Sequence, residues 1–276
     1  MTHLTLPPTT PPRRPPVGPP TIELEGVDVA SVTEAEAVAS IMAASRGGRG
    51  GWVLTPNVDQ LRRISRERDL AVLAQQVDLA VADGMPLVWA SRLAGRPLPE
   101  RVAGSNLIWS LTAAAAEAGS SVYLLGGDPG VADRAAAIFG DKWPQLRIAG
   151  THCPPVGFER DGAARAAIAS ALRAAQPDIV FVGLGFPKQE RLIAELRSEL
   201  PRTWFLGIGI SLGFVSGDNA RAPGWMHRLG LEWVHRLVSE PRRLFRRYVI
   251  EDLPFVVPFL LRSAGRGLRR RLATHG

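Results

Sequence analysis

Short apolar runs recur along the chain, and each is followed by a longer stretch with helical periodicity. Runs of roughly five residues that are almost wholly apolar indicate strands buried on both faces, as in a parallel sheet covered by crossover helices. Four such runs lead into glycine, proline or polar residues: Gly51–Thr55, Asp78–Ala82, Ser121–Leu125 and Asp178–Val182. The pattern predicts an α/β fold, specifically a Rossmann-like parallel sheet with crossover helices.

Further predicted elements fill the intervals between these strands and continue toward the C-terminus. A strand over 22–24 opens the fold, and Thr33 to Glu36 has the spacing of a capping box at a helix start. A strand over 204–206 completes the sheet, and helical patterns dominate from Gly224 onward. The other helices are predicted over 59–68, 69–76, 85–93, an Ala-rich stretch ending near Gly119, two stretches between there and Pro177, and 188–200.

The two ends of the chain differ in composition from its middle. Residues 1–20 contain eight prolines, so they cannot bury enough apolar area to order themselves, and we predict a disordered tail. From Arg221 onward there are twelve arginines, no lysine and four acidic residues, so this segment carries the excess positive charge of a chain whose net charge is +7. The predicted organisation is a tail (1–20), an α/β domain (21–219) and a basic helical appendage (220–276).

The basic appendage points to an anionic partner, which is nucleic acid, a diphosphate or a membrane surface. Arginine is suited to bidentate phosphate binding, and four arginines fall on one helical stripe: Arg242, Arg243, Arg246 and Arg247. Apolar residues nearby, Phe245, Val249 and Phe255, favour a lipid surface. No apolar run is long enough to span a bilayer, so we expect any contact with a membrane to be peripheral.

Polar residues gather where the predicted strands end. In open α/β sheets, ligands bind outside the carboxyl ends of the strands. By itself, Asp83-Gly84 fits an ordinary turn as well as a functional carboxylate, and Gly126-Gly127 fits either a tight turn or a loop that offers backbone N–H groups to an anion. This edge is therefore the candidate site, and it receives Thr55, Asn57, Asp83, Gly126, Gly127, Lys188 and Gln189.

Signatures of other nucleotide and metal enzymes are imperfect or missing. The stretch Gly207-Ile-Gly-Ile-Ser-Leu-Gly213 looks like a dinucleotide fingerprint, but its third glycine is one residue late and it follows the last strand rather than the first. The sequence contains no Walker A motif, no His/Cys cluster with metal-ligand spacing and no Asp-x-Asp motif. We therefore expect no cofactor and no metal, with a bound diphosphate held by protein cations or helix N-termini.

Six blocks, in order and with matching spacing, resemble the WecG/TagA/CpsF glycosyltransferases (glycosyltransferase family 26). The resemblance covers residues 22–250, and together the blocks are far more specific than any one alone. They are Thr55-Pro-Asn57, Ala82-Asp-Gly-Met-Pro86, Leu98-Pro-Glu-Arg-Val-Ala-Gly-Ser-Asn-Leu107, Leu124-Leu-Gly-Gly-Asp-Pro-Gly130, Gly183-Leu-Gly-Phe-Pro-Lys-Gln-Glu190, and Arg221-Ala-Pro-Gly-Trp225 continuing through Arg236 and Arg243 to Tyr248.

The resemblance implies an inverting transfer of a sugar from a UDP-sugar to a polyprenyl-diphosphate-linked saccharide, on the inner face of the cell membrane, in the assembly of polysaccharide or teichoic acid. Because the Asp-x-Asp motif is absent, we expect this transfer to be metal-independent. The sugar would be of the N-acetylmannosamine type, its uronate or a related hexose. By motif match, Asp83 would be the general base, and Thr55, Asn57, Arg101 and Gln189 would line the pocket. Lys188 and the arginines Arg221, Arg236 and Arg243 would bind the substrate, with the arginines closing over the nucleotide diphosphate.

One departure from the family pattern concerns the donor sugar. Where an aromatic-Asp-aromatic stretch is expected after the Gly207 strand, this chain has Leu212-Gly213-Phe214, so a pocket carboxylate is missing. The competing class is an α/β nucleotide- or nucleic-acid-binding module whose Arg-rich tail grips phosphates. We expect the chain to be the glycosyltransferase and to have no nucleic-acid partner, because the apolar residues of the basic appendage suit a lipid surface. The oligomeric state stays open, a homo-oligomer included.

Overall fold

The computed structural model describes residues 19–220, 223, 226, 232–239 and 241–273, so most of the predicted N-terminal tail lies outside it. Its centre is one sheet of eight strands: β1 (Thr21–Leu24), β2 (Val27–Ala30), β3 (Gly51–Leu54), β4 (Leu79–Ala80), β5 (Ser121–Gly126), β6 (Arg147–His152), β7 (Ile179–Gly183) and β8 (Trp204–Gly207). The strand order is β1-β2-β4-β3-β8-β7-β5-β6. Every neighbouring pair is parallel except β1 with β2. The predicted α/β fold is confirmed.

A hairpin at one edge of the sheet was not predicted. The sequence pattern indicated the strand over 22–24 but not β2, which pairs with β1 through the register Leu24↔Val27. The two residues between them, Glu25 and Gly26, both have positive φ (48° and 87°), which is the geometry of the two-residue turns that suit hairpins. Asparagine or aspartate is usual at the first position of such a turn. The glutamate at this position is the reason that the sequence carried no turn signal here.

Helices cover both faces of the sheet. Thr33 caps the first of them as predicted, since its side chain accepts the N–H of Glu36 while the Glu36 carboxylate accepts the N–H of Thr33. The predicted helix over 188–200 ends at Leu196. The helices are α1 (Glu34–Arg46), α2 (Val58–Arg66), α3 (Arg68–Ala74), α4 (Met85–Leu93), α5 (Gly104–Ala118), α6 (Val131–Lys142), α7 (Gly162–Ala175), α8 (Lys188–Leu196) and α9 (Ser211–Ser216), with a 3-10 turn at Phe158–Arg160.

The strands bury side chains alternately on the two faces. Phe181 of β7 and Leu206 of β8 pack with the layer that contains α1, α5, α6 and α9. Trp52 of β3 and Phe205 of β8 pack on the other face, against α7, α8 and their neighbours. All four are fully buried, so the sheet is the rigid platform that positions the loops at its two ends.

The C-terminal segment packs on the α/β body. After short helices (Glu232–Ser239 and Pro241–Phe245) and a π-helical stretch (Arg246–Asp252) comes a helix over Leu253–Ala273, called here the C-terminal helix. Its residues Phe255 and Phe259 are buried in the cluster that contains α2 and α4. The Cα of Gly267 meets the carbonyl oxygen of Leu93 so closely that a Cβ would clash with it. The expectation that Phe255 faces a lipid surface is therefore wrong.

Candidate active site

The parallel strand order brings the predicted polar residues to one edge. Asp83 follows β4, Thr55 follows β3, Gly207 ends β8, Gly183 ends β7 and Gly126 ends β5. These strands are consecutive neighbours in the sheet, so the five positions form a row across four strand spacings, or about 19 Å. After β5 the chain continues to β6 at one edge of the sheet, and after β7 it continues to β8 in the opposite direction. The boundary between β5 and β7 is therefore a topological switch point, which is the usual place for a ligand crevice.

Asp83 is held from three sides at its end of the row. Its backbone N–H donates to the carbonyl oxygen of Pro56 (3.1 Å), and its carboxylate Oδ2 accepts the N–H of Gly104 (3.2 Å). Gly104 is the first residue of α5, so the carboxylate lies at a helix N-terminus, where negative charge is stabilised. The guanidinium of Arg101 is 3.9 Å from Oδ1. With 26% of its side chain exposed, Asp83 is a fixed carboxylate that solvent and ligands can reach.

Thr55 lies beside Asp83, beneath the surface of the row. It is 6% exposed, and its hydroxyl donates to the carbonyl oxygen of Gly207 (3.1 Å), which joins the end of β3 to the end of β8. A Cβ at Gly104 would come within 3.2 Å of the Thr55 hydroxyl oxygen. Thr55 thus contacts both Gly207 and Gly104, and Gly104 is the residue whose N–H binds the carboxylate of Asp83.

Asn57 caps a helix in this structure. Its side-chain Oδ1 accepts the backbone N–H of Gln60 (3.1 Å), and the side-chain oxygen of Gln60 accepts the N–H of Asn57 (3.1 Å). This reciprocal pair is a capping box at the start of α2. Asn57 was predicted to lie in the pocket, and the Asn-x-x-Gln spacing of Asn57 and Gln60 is the sequence signal for the cap. Contact with substrate remains a prediction for it.

Gln189 is buried within the row instead of lining its open surface. Only 1% of the residue is exposed. Its side-chain Oε1 accepts two backbone N–H groups, from Gly185 (3.1 Å) and Gly209 (3.2 Å), and its Nε2 donates to Glu190 Oε1 (2.8 Å). The loops after β7 and β8 are therefore tied together by one side chain.

Glu190 is a buried acid to which sequence analysis assigned no role. It is 2% exposed, and burial raises the pKa of its carboxyl to about 7. Among the described residues, neither its Oε2 nor the indole Nε1 of Trp52 has a hydrogen-bond partner, and both residues line a cavity of about 10 Å³. The sequence signal for this buried acid is its position in the first turn of α8, between residues of that helix that are themselves buried.

The Gly126-Gly127 loop is closely packed at the other end of the row. The N–H of Gly127 donates to the carbonyl oxygen of Gly183 (2.9 Å), so it is not available to an anion as the sequence analysis envisaged. Both glycines have positive φ (112° and 76°), and a Cβ on either would overlap a neighbour. Lys188 pairs with Glu159 (2.9 Å), and this bond holds the pKa of Glu159 below its usual value. Substrate binding by these three residues remains a prediction.

The C-terminal arginines are only partly described. Arg221 lies outside the described residues, and Arg236 and Arg243 lie in helices, but their side chains are outside the description. Arg247 is 3.0 Å from Asp59 and 3.9 Å from Asp252. Part of the arginine stripe is therefore paired with acidic groups of this same chain.

Those acidic groups also engage α2. Arg62 contacts three carboxylates, those of Asp59 (2.5 Å), Asp252 (3.1 Å) and Glu251 (3.2 Å). Burial raises the pKa of Asp252 to about 6, despite its two arginine partners. The cluster fixes the segment before the C-terminal helix against α2, the helix that begins at the row of strand ends.

The departure at Leu212-Gly213-Phe214 falls in α9. Leu212 is fully buried, and a Cβ at Gly213 would collide with the side-chain Nδ2 of Asn219. The backbone N–H of Asn219 also donates to the carbonyl oxygen of Gly213 (2.9 Å). Asn219 therefore fills the space that a side chain at position 213 would need, so an aspartate there would require this turn to move.

Within the described residues, no three or more His, Cys, Asp or Glu side chains form a group that could hold a metal ion. None of the helices in that part of the chain is long and apolar enough to cross a membrane.

Comparisons with known proteins agree with the motifs. The profile of the family described as "Glycosyl transferase WecG/TagA/CpsF family" matches residues 22–269. The N-acetylglucosaminyldiphosphoundecaprenol N-acetyl-beta-D-mannosaminyltransferase of Bacillus subtilis (strain 168) is 31% identical over 208 residues, covering 75% of this chain and 79% of that protein. A protein of the same name from Bacillus spizizenii is 32% identical over 196 residues, covering 71% and 74%.

Proposed function

The chain belongs to the WecG/TagA/CpsF family of glycosyltransferases, and on that premise we propose that it transfers an N-acetylmannosamine-type sugar from a UDP-sugar to a polyprenyl-diphosphate-linked saccharide. Two relatives named for N-acetylmannosaminyl transfer to an N-acetylglucosaminyl-diphosphoundecaprenol support this acceptor class. The observation that carries the proposal is the position of Asp83, a fixed and accessible carboxylate at the carboxyl edge of a parallel sheet.

In the proposed reaction Asp83 is the general base. It takes the proton of the acceptor hydroxyl as that oxygen attacks the anomeric carbon, while the bond from that carbon to the diphosphate oxygen breaks and UDP leaves. A single displacement of this kind inverts the configuration at the anomeric carbon. The N–H of Gly104 and the guanidinium of Arg101 keep the carboxylate in place, and they leave it exposed enough to meet a hydroxyl.

The leaving diphosphate needs positive charge or N–H donors close to it. The sequence lacks an Asp-x-Asp motif, so we propose that protein cations, not a metal ion, supply that charge. Arg101 and the C-terminal arginines are the proposed groups. Arg247 could take this role only by leaving Asp59 and Asp252, so diphosphate binding would compete with the ion pairs of the acidic cluster.

The C-terminal helix is the proposed membrane contact. Its buried residues recur at every fourth position from Phe255 to Gly267, and exposed aliphatic residues lie on the opposite side. An apolar stripe flanked by arginines is typical of a helix that lies in the membrane interface. Exposed arginines are present at 269–271. The exposed aliphatic residues are Leu253 (51%), Val257 (50%), Leu261 (68%), Leu268 (61%) and Leu272 (68%). The acceptor lipid would place the enzyme on the inner face of the cell membrane, in cell-surface polysaccharide or teichoic acid synthesis.

A product assay tests the transfer directly. The enzyme is incubated with UDP-N-acetylmannosamine and a soluble prenyl-diphosphate-N-acetylglucosamine, and mass spectrometry follows the acceptor. We expect one added N-acetylhexosamine and one released UDP per turnover. UDP release without acceptor glycosylation, or no turnover with any UDP-sugar, would contradict the proposal. In that case binding to single-stranded nucleic acid would be measured, because that is the competing class.

Vesicle flotation tests the membrane contact. Leu261→Glu and Leu268→Glu place charges on the exposed stripe, and Glu195→Gln on α8 serves as a control that lies away from it. We expect the two glutamate variants to lose binding to anionic vesicles without losing turnover on a soluble acceptor. Unchanged flotation would show that the stripe is not the membrane surface.

A further inference from the structure

One side chain joins the two loops in the middle of the strand-end row. The Oε1 of Gln189 accepts the N–H of Gly185, in the loop after β7, and the N–H of Gly209, in the loop after β8. Both glycines have positive φ (77° and 55°), so each loop turns tightly at the point where it is tied. The position of the Gln189 amide therefore sets the spacing of the two loops.

Glu190 and the two glycine N–H groups together fix the orientation of that amide. With Oε1 between two N–H donors, Nε2 must point toward an acceptor, and Glu190 Oε1 is 2.8 Å from it. An amide turned the other way would place its NH₂ group against two donors, which cannot bond. Nor can the amide shift toward the sheet, because it lies against the Cα of Gly207, where even a methyl group would clash with Nε2.

We propose that Glu190 is a positioning residue for the transfer reaction: its carboxyl oxygen holds the Gln189 amide and, through it, the loops after β7 and β8 in the arrangement that the site requires. The part that concerns catalysis rests on the proposed function, whereas the part that concerns the loops does not. Glu190 itself has only 2% of its surface exposed and does not face the candidate pocket as a ligand.

The surroundings of Glu190 support a role for this particular group. A buried carboxyl is costly unless it is paired, and none of its hydrogen bonds within the described residues is to a cation. Arg63 of α2 is the charged group that influences it, but Arg63 bonds to Glu67 (2.7 Å) and lies 5.1 Å from the centre of the Phe186 ring. The residues of α3 and β3 that line the adjoining cavity carry no charge. Burying an apolar side chain at this position would avoid the desolvation penalty of a carboxyl group, so the glutamate is favoured only if its acceptor oxygen is needed.

A continuous series of contacts leads from this pair to the candidate base. Gln189 and Glu190 lie against Gly207, and the carbonyl oxygen of Gly207 accepts the Thr55 hydroxyl. Thr55 is in contact with Gly104, whose N–H donates to Asp83. A displacement of Gly207 would therefore shift Thr55 and Gly104, and with them the carboxylate of Asp83. A misplacement of about 1 Å at a reacting group can lower the rate by on the order of 100-fold.

The test compares an apolar and a conservative replacement. Glu190→Met removes the acceptor but keeps the volume, whereas Glu190→Gln keeps an acceptor oxygen without a charge. We expect Glu190→Met to lower kcat by on the order of 10- to 100-fold with little change in donor KM, and Glu190→Gln to restore kcat to within about threefold of the wild type. The matched controls are Glu195→Met and Glu195→Gln on the exposed side of α8, which should leave kcat unchanged. Wild-type kcat in Glu190→Met, or equal loss in both Glu190 variants, would overturn the proposal.

A second readout does not depend on activity. Amide hydrogen exchange of the Gly185 and Gly209 N–H groups should be at least about tenfold faster in Glu190→Met and unchanged in Glu190→Gln. The N–H of Gly127, which bonds to a backbone carbonyl, is the internal reference. Unchanged exchange at both glycines in Glu190→Met would overturn the proposal, even if the enzyme proved to have another substrate. If Glu190→Met does not fold, Gln189→Met takes its place, and wild-type kcat and exchange in that variant would overturn the proposal.

Discussion

The buried carboxyl of Glu190 makes a quantitative prediction about stability. Its pKa is about 7 in the folded protein, against an ordinary value of 4.5, so the folded state binds more protons than the unfolded state between these values. Its contribution to stability is therefore fully present below pH 4.5 and is lost as the pH rises through 7. With about 1.4 kcal/mol per pKa unit, the contribution to the free energy of unfolding should fall by about 2.5 kcal/mol between pH 5 and pH 8.

Glu190→Gln isolates this effect. Other groups titrate in the same range, Asp252 among them, but they do so in both proteins and cancel in the difference. Urea unfolding of the wild type and the variant, followed by circular dichroism at several pH values, gives that difference directly. We expect the variant to gain about 2.5 kcal/mol relative to the wild type from pH 5 to pH 8, or about 4–5 °C in Tm. A difference that stays constant within about 0.5 kcal/mol would contradict this expectation, because it would mean that water reaches the carboxyl and that burial does not raise its pKa.

Three further predictions follow from other parts of the molecule. Phe259→Ala should lower the free energy of unfolding by about 3–5 kcal/mol because Phe259 is fully buried on the side of the C-terminal helix that faces the body, whereas Leu261→Ala on the exposed side should change it by less than about 1 kcal/mol; urea unfolding measures both. Gly207→Ala should lower kcat because its methyl group would displace the Gln189 amide, and Gly140→Ala, where a Cβ meets nothing within 4 Å, is the control in the same steady-state assay. Transfer should persist in excess EDTA, and loss of turnover that is restored by Mg²⁺ or Mn²⁺ would contradict the metal-free mechanism.

The sheet could be predicted because buried parallel strands leave a strong signal. Runs such as Ser121–Leu125 are apolar at every position but the first, and they end at glycine or polar residues that cannot continue a strand. The edge hairpin left no such signal, because β2 is four residues long and its turn begins with glutamate. The boundary of the basic appendage at residue 220 stays a prediction, although Phe255 and Phe259 pack into the core of the body.

The candidate site was predictable in its location but not in its internal bonding. The carboxyl ends of parallel strands meet at one edge, so the strand pattern alone places Asp83 and Thr55 at the same edge. That they are neighbours depends on the pairing of β4 with β3, which the pattern does not give. The burial of Gln189 and the cap formed by Asn57 do not follow from it, because they depend on the turns that the loops take after each strand. For the same reason the sequence could not indicate that Arg247 pairs with Asp59, a residue distant from it along the chain.

Asp83→Asn is the decisive variant, because Asp83 is the proposed acceptor of the proton of the attacking hydroxyl. The amide keeps the shape and can still accept the N–H of Gly104, but it cannot take a proton. Single-turnover transfer and calorimetric binding of the UDP-sugar would be measured on the same preparation. We expect transfer to fall by on the order of 10²–10⁴-fold while the donor Kd stays within a few fold of the wild type. Transfer at a near-normal rate in the Asn variant would contradict the proposed role of Asp83.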